Sequence, residues 1–149
     1  MNRADKAEEK FLSGYNCAQS VVGAMCEELG MSEEMGLMVS EGFGGGMGRM
    51  RETCGAVTGM FMLAGLKMSK AQAKDMDTRK ALYAKVQEMA AEFKDKMGSI
   101  NCAELLGAAL PKDGGATPTE RDAEFYRKRC CTDCVRLATE IAEKHLLEK

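Results

Sequence analysis

Tryptophan is absent from this 149-residue chain, histidine occurs once and proline twice. Tyrosine and phenylalanine together make up only 5% of it. A stacking platform for nucleic-acid bases is therefore not expected. The net charge is −2, and Lys and Arg alternate with Asp and Glu instead of forming a basic block, so no nucleic-acid partner is expected either. The single histidine, His145, is expected to be solvated or capping in a terminal helix. Mixed Cys/His zinc sites and histidine-dependent catalytic triads are set aside on the same count. The opening "MNRADKAEEK" lacks the apolar stretch of a secretory signal. The longest apolar run, Ala56 to Leu66, carries Gly59 and Gly65 and falls well short of the roughly 20 residues of a membrane helix. These features predict a single domain, with no membrane insertion, in the cytoplasm.

Against those scarcities stand seven cysteines, sixteen glycines and thirteen methionines. A reducing compartment does not favour permanent disulfides, so the cysteines are read as redox-active, metal-binding or simply buried. The methionines recur at helical spacing and are read as adaptable core filler in preference to a soft copper site.

Periodicity is helical almost throughout, and no alternating strand is evident. Helices are expected over 3–12 and from Asn16 to Leu29, with Gly30 as the stop. Ser32 opens a short helix. "EGFGGGMGR", ending at Arg49, is a loop, because its glycines disfavour helix. A helix starts near Thr53, and another runs from Ser69 to Met97 with Leu82, Val86, Met89, Phe93 and Met97 on one face. Asn101 opens a short helix, "ALPKDGGATPTE" is a Pro/Gly loop, and a last helix or bent pair covers about 120–148. The fold class is all-α: one compact bundle of six to eight helices with a Gly-rich loop.

On this map Cys17 follows Asn16, Cys102 follows Asn101, Cys54 follows Thr53, and Cys131 opens the last helix. Four helix starts thus present a cysteine in the first turn. Unpaired N–H groups there, and the positive end of the helix dipole, favour the thiolate over the thiol. Arg127, Lys128 and Arg129 add positive charge near Cys130 and Cys131, and Arg49 and Arg51 are candidates to do so near Cys54. Cys26, nine residues after Cys17, faces the other side of its helix and reads as buried packing. Cys131 and Cys134 form a C-x-x-C followed by Val135, so covalent haem attachment is not expected. Cys130 and Cys134 are a resolving thiol, a ligand, or local extras. Tyr15 and Tyr126 either donate to a thiolate or pack.

Gly44, Gly45 and Gly46 either bring backbone close to a ligand or anion, or form a turn packed tightly around Cys54. Gly55 and Gly59 either let a neighbouring helix approach or admit a cofactor.

The segments "GYNCAQSV", "GFGGGMGR…CGAVTG", "NCAELLG" and "CTDCVRLA" together resemble the C-GCAxxG-C-C family. The likeness runs from about 15 to 138, with Cys54-Gly55-Ala56-x-x-Gly59 as the central motif. The resemblance implies a redox-active protein whose four family cysteines map onto Cys17, Cys54, Cys102 and Cys131. Three functions are then expected in order. The first is a thiol–disulfide oxidoreductase with an unidentified redox partner and no required cofactor, in which Cys17 or Cys54 attacks and the pairs are Cys17–Cys54 and Cys102–Cys131, other pairings remaining open. The second is an iron–sulfur or other metal site on the same four cysteines. The third is a helical interaction module whose long helix forms a homodimer.

Overall fold

Three helices start on an asparagine that accepts a hydrogen bond from the backbone three residues on. Asn2 caps α1 (Arg3–Leu12), Asn16 caps α2 (Cys17–Met25) and Asn101 caps α7 (Cys102–Leu106). Each side-chain oxygen satisfies one of the donors a helix start leaves open. Asn16 adds the reciprocal bond from its own N–H to Gln19, completing a capping box, and its side-chain amide donates to the Glu41 carbonyl. Ser32, Asp75 and Asp122 do the same for α3 (Glu33–Ser40), α6 (Met76–Met97) and α8 (Ala123–Lys128). The remaining helices are α5 (Gly55–Met68) and α9 (Cys131–Leu146). This computed structural model describes residues 1–148. Eight regular helices, joined by short 3-10 turns, make an all-α bundle among those residues.

α2 and α5 form its centre. Every residue of α2 from Ala18 to Met25 is buried, and α5 buries Gly55 to Met60 together with Leu63 and Ala64. Helices apolar on nearly all sides belong inside. They meet at Gly55 and Gly59, where an added Cβ would lie 3.1 Å from the Ala18 nitrogen and oxygen respectively. The helix-contact reading of these two glycines therefore holds. α1, α6 and α9 wrap the pair. α9 contributes Cys134, Val135, Ala138, Ile141 and Ala142, and α6 contributes Met89 and Phe93 from the expected face. Met25, Met60 and Met89 are fully buried, as core filler should be.

Several boundaries differ from the sequence reading. α2 stops at Met25 and continues as a 3-10 turn, Cys26–Leu29, before Gly30. α6 starts at Met76, not Ser69. Ser69 instead ends α5, and its hydroxyl accepts from the Ala71 N–H, a local bond that competes with helix. The last stretch is a bent pair, α8 and α9, parted at Arg129 and Cys130. His145 is not solvated: its side chain is 7% exposed, set against Glu88 and Glu92 of α6. Cys26 is buried, as expected, with its thiol against Gly36 and the Ser32 carbonyl. No helix among the described residues is long and apolar enough to cross a membrane.

The glycine segment is the unusual element. Its one helical turn, α4 (Gly44–Met47), is broken by left-handed φ values at Gly45 (66°) and Gly46 (71°). Met47, Gly48, Arg49 and Arg51 also have positive φ, between 59° and 69°. A left-handed conformation costs an L-residue about 1–2 kcal/mol. The turn is held by backbone bonds from Arg49 to Gly44, Arg51 to Gly45 and Glu52 to Gly46. The Arg49 head is also fixed, donating to the Gly115 carbonyl and the Thr119 hydroxyl and pairing with Asp113. The segment is thus a fastened turn, and through Gly46 it packs on Cys102.

Candidate functional site

The starts of α2, α5, α7 and α9 converge. Cys17, Cys102 and Cys131 are the first residues of their helices. Cys54 is itself the residue before α5, the position expected for Thr53. Thr53 instead pairs with Asn101 in an isolated antiparallel bridge. Beside it the Cys54 N–H donates to the Ile100 carbonyl at 2.7 Å and the Cys102 N–H to the Glu52 carbonyl at 2.6 Å. Two helix starts remote in sequence are thereby locked side by side.

The result is a cavity of about 80 Å³ lined by six of the seven cysteines: Cys17, Cys54, Cys102, Cys130, Cys131 and Cys134. All are free thiols. Gly45, Gly46 and Gly55 also line it, whereas Gly44 packs on Asn16 and Gly59 on α2. Phe11, Leu105 and Leu106 form apolar wall, and Arg51, Arg121 and Arg129 supply the charge. Arg121 and Arg129 lie over the Phe125 ring, 5.3 and 4.1 Å from its centroid. Arg51 reaches the sulfur of Cys102 at 3.7 Å rather than Cys54. Tyr126 packs edge-on against Phe11 and Phe125.

Within the cavity the Cys130 and Cys134 sulfurs lie 3.7 Å apart. Electrostatically Cys17 interacts most strongly with Cys131, and Cys134 with Cys130 and Cys54, a different set from the expected pairs. The interaction with the Cys17 thiol drives the Cys131 pKa down, with Arg129 and Arg121 helping and burial opposing. The same interaction and burial drive Cys17 well up. The contact with Cys134 brings Cys130 down to about 7, with burial opposing. Cys134 itself is pushed strongly up by its interactions with Cys130 and Cys54 and by burial. At Cys102 burial raises the pKa, outweighing the opposing Arg51. At Cys17 and Cys102 burial and neighbouring groups work against the thiolate that a helix start favours, whereas at Cys131 the neighbouring Cys17 works for it.

Accessibility divides the six. Cys17, Cys130 and Cys131 are half-buried, and Cys54, Cys102 and Cys134 are buried. Among the described residues no group of three or more Cys, His, Asp or Glu side chains is arranged to hold a metal ion, so the geometry adds nothing to the metal alternative. The family model described as "Putative redox-active protein (C_GCAxxG_C_C)" matches residues 15–145. The chain belongs to the C-GCAxxG-C-C family. No curated protein and no solved structure matches it.

In this C-GCAxxG-C-C protein, sequence reasoning left Cys130 and Cys134 undecided and passed over Arg121. The signal for the first two was their spacing. Four residues apart, they share one face of a helical turn, which brings them to the same cavity. Arg121 gave no signal, because it lies between the Pro/Gly loop and α8 and is placed by donating to the Phe11 and Tyr15 carbonyls of α1 and its turn. The Cys130–Cys134 contact has a measurable consequence. Alkylation tracks the thiolate, so the rate at Cys130 should rise through about pH 7. In Cys134→Ala the thiolate loses its donor, and the rise should move toward the unperturbed value of 9.0. Mass-resolved alkylation from pH 5 to 10 checks this; an unmoved profile would show that Cys134 does not hold the shared proton.

Proposed function

We propose that the protein performs thiol–disulfide exchange, with Cys131 as the attacking thiolate and Cys17 as the resolving thiol. The supporting observation is that Cys17 and Cys131, two half-buried thiols on separate helix starts, line one cavity, with the Cys131 pKa driven down and the Cys17 pKa driven up by their interaction. This differs from the expected roles, in which Cys17 or Cys54 attacks and Cys131 pairs with Cys102.

The Cys131 sulfur attacks one sulfur of a partner disulfide, whose other half leaves as a thiolate and takes up a proton. Cys131 is then neutral in a mixed disulfide. It no longer repels a charge on Cys17, so Cys17 gives up its proton more readily and attacks the Cys131 sulfur. The second partner half leaves as a thiol. Two electrons pass from the protein to the partner, and the protons surrendered by the two cysteines end on the partner's thiols. This reading places the protein in a reducing compartment, the cytoplasm, where its dithiol is regenerated.

Treatment with a small disulfide should remove two alkylatable thiols per chain, and reduction should restore them. Peptide mass mapping should find the bridge between Cys17 and Cys131. Retention of all thiols would overturn the exchange reading, and a first bridge elsewhere would overturn this assignment.

A further inference from the structure

The guanidinium groups of Arg51, Arg121 and Arg129 have no carboxylate partner among the described residues, although the chain forms ion pairs at Arg3, Arg49 and Arg136. All three are half-buried. Their polar contacts are to neutral groups or a thiol. Arg51 meets the Cys102 sulfur, Arg121 the Phe11 and Tyr15 carbonyls, and Arg129 the Thr119 hydroxyl at 3.4 Å. Both Arg121 and Arg129 are fixed against the Phe125 face, so little side-chain entropy would be lost in using them.

These arginines do not line only the inner cavity. They also line an adjoining groove of about 670 Å³ that reaches the glycine segment; it shares Arg51, Arg121, Arg129 and Gly45 with the cysteine cavity, though no cysteine lines the groove itself. Its volume is that of a small-ligand site. Its one carboxylate is Glu41, and the charge of Arg49 on its far wall is already met by Asp113. The groove therefore sets a surplus of positive charge next to the cysteine cavity, with the three arginines as the shared wall.

Resting on the exchange reading above, we infer that the substrate is a small disulfide carrying carboxylates, whose acid groups lie along the groove on Arg51 and Arg129 while its sulfur reaches Cys131. Arg–carboxylate hydrogen bonds supply both orientation and strength. The chemistry sharpens the preference. Before attack, the Cys131 thiolate offsets part of the arginine charge. As the S–S bond to the substrate forms, that anion disappears, and a carboxylate on the attached half replaces it beside Arg129.

The test uses three disulfides of similar size that differ in charge: 3,3′-dithiodipropionate (dianionic), bis(2-hydroxyethyl) disulfide (neutral) and cystamine (dicationic). Each rate of Cys17–Cys131 bridge formation is divided by the rate of the same reagent with 2-mercaptoethanol, which removes intrinsic reactivity. The expected order is dianion, neutral, dication, with about tenfold per step. In Arg51→Gln and Arg129→Gln the absolute rates change for all three reagents, and the readout is the spread, which should contract. In the wild-type protein the spread should also contract when ionic strength is raised from about 0.01 to about 1 M, which needs no variant to fold. Equal normalised rates in the wild type, or a reversed order, would overturn the carboxylate preference while leaving exchange intact. Failure of all three reagents to bridge Cys17 and Cys131 would remove the exchange reading and this inference with it.

Discussion

Cys17→Ser arrests the reaction halfway, so that exposure to a small disulfide leaves about one partner half attached per chain, at Cys131. A serine hydroxyl at 17 keeps a donor beside Cys131, so the attacking thiolate should survive, but an alcohol does not displace a sulfur from a mixed disulfide. Intact mass reads the adduct directly, and reduction removes it. The wild-type chain passes through the same adduct and should show the bridge instead. Cys131→Ser gives the complementary result: no adduct at 131, no bridge to 17, and any residual reaction at Cys130, the other half-buried thiol with a lowered pKa. Cys26→Ala, remote from the cavity, should leave the bridge as in the wild type. If Cys17→Ser resolved as fast as the wild type, Cys17 would not be the resolving thiol, and Cys130 or Cys134 would have to be.

Helix starts were readable because their signals are local. An asparagine at 16 or 101, or a serine at 32, announces a cap from its own side chain and the residues just after it. The stripe from Leu82 to Met97 likewise needs only one helix to be recognised. Cys17, Cys54, Cys102 and Cys131, each at or just before a helix start, line one cavity. What failed depended on contacts between distant segments. The Thr53–Asn101 bridge moved the cap of α5 onto Cys54. The packing of α9 on α6 buried His145. The choice of sulfur partners rests on how α2 and α9 are set against each other, about which neither "GYNCAQSV" nor "CTDCVRLA" carries information. The glycine run was recognised as non-helical, but its left-handed course is shared by Met47, Arg49 and Arg51, residues that announce no such conformation. Strain of this kind is kept where surrounding contacts demand it, commonly at functional sites.

Gly46 measures how much those contacts demand. An added Cβ there would stand 2.5 Å from the Cys102 Cβ, 2.8 Å from the Glu52 nitrogen and 2.9 Å from the Arg51 Cα, and the residue keeps φ at +71°. Two of the three obstructing atoms belong to backbone, which cannot rotate aside. Gly46→Ala should therefore combine the conformational penalty of a left-handed alanine, about 1–2 kcal/mol, with an overpacking cost of about 1–3 kcal/mol. The sum, about 2–5 kcal/mol, is a large part of the stability of a domain this size. Gly98→Ala is the control, since Gly98 has a similar φ of +90° but open space around it, and should lose only the conformational part. Urea unfolding of the two variants separates the terms. A near-equal loss would mean that the glycine segment yields freely and does not press on Cys102. A much larger loss in Gly46→Ala, with the buried Cys102 thiol becoming open to alkylation before global unfolding, would show that the segment clamps the start of α7. It would then also hold Arg51 to the Cys102 sulfur, because Arg51 follows the turn that Gly46 makes possible.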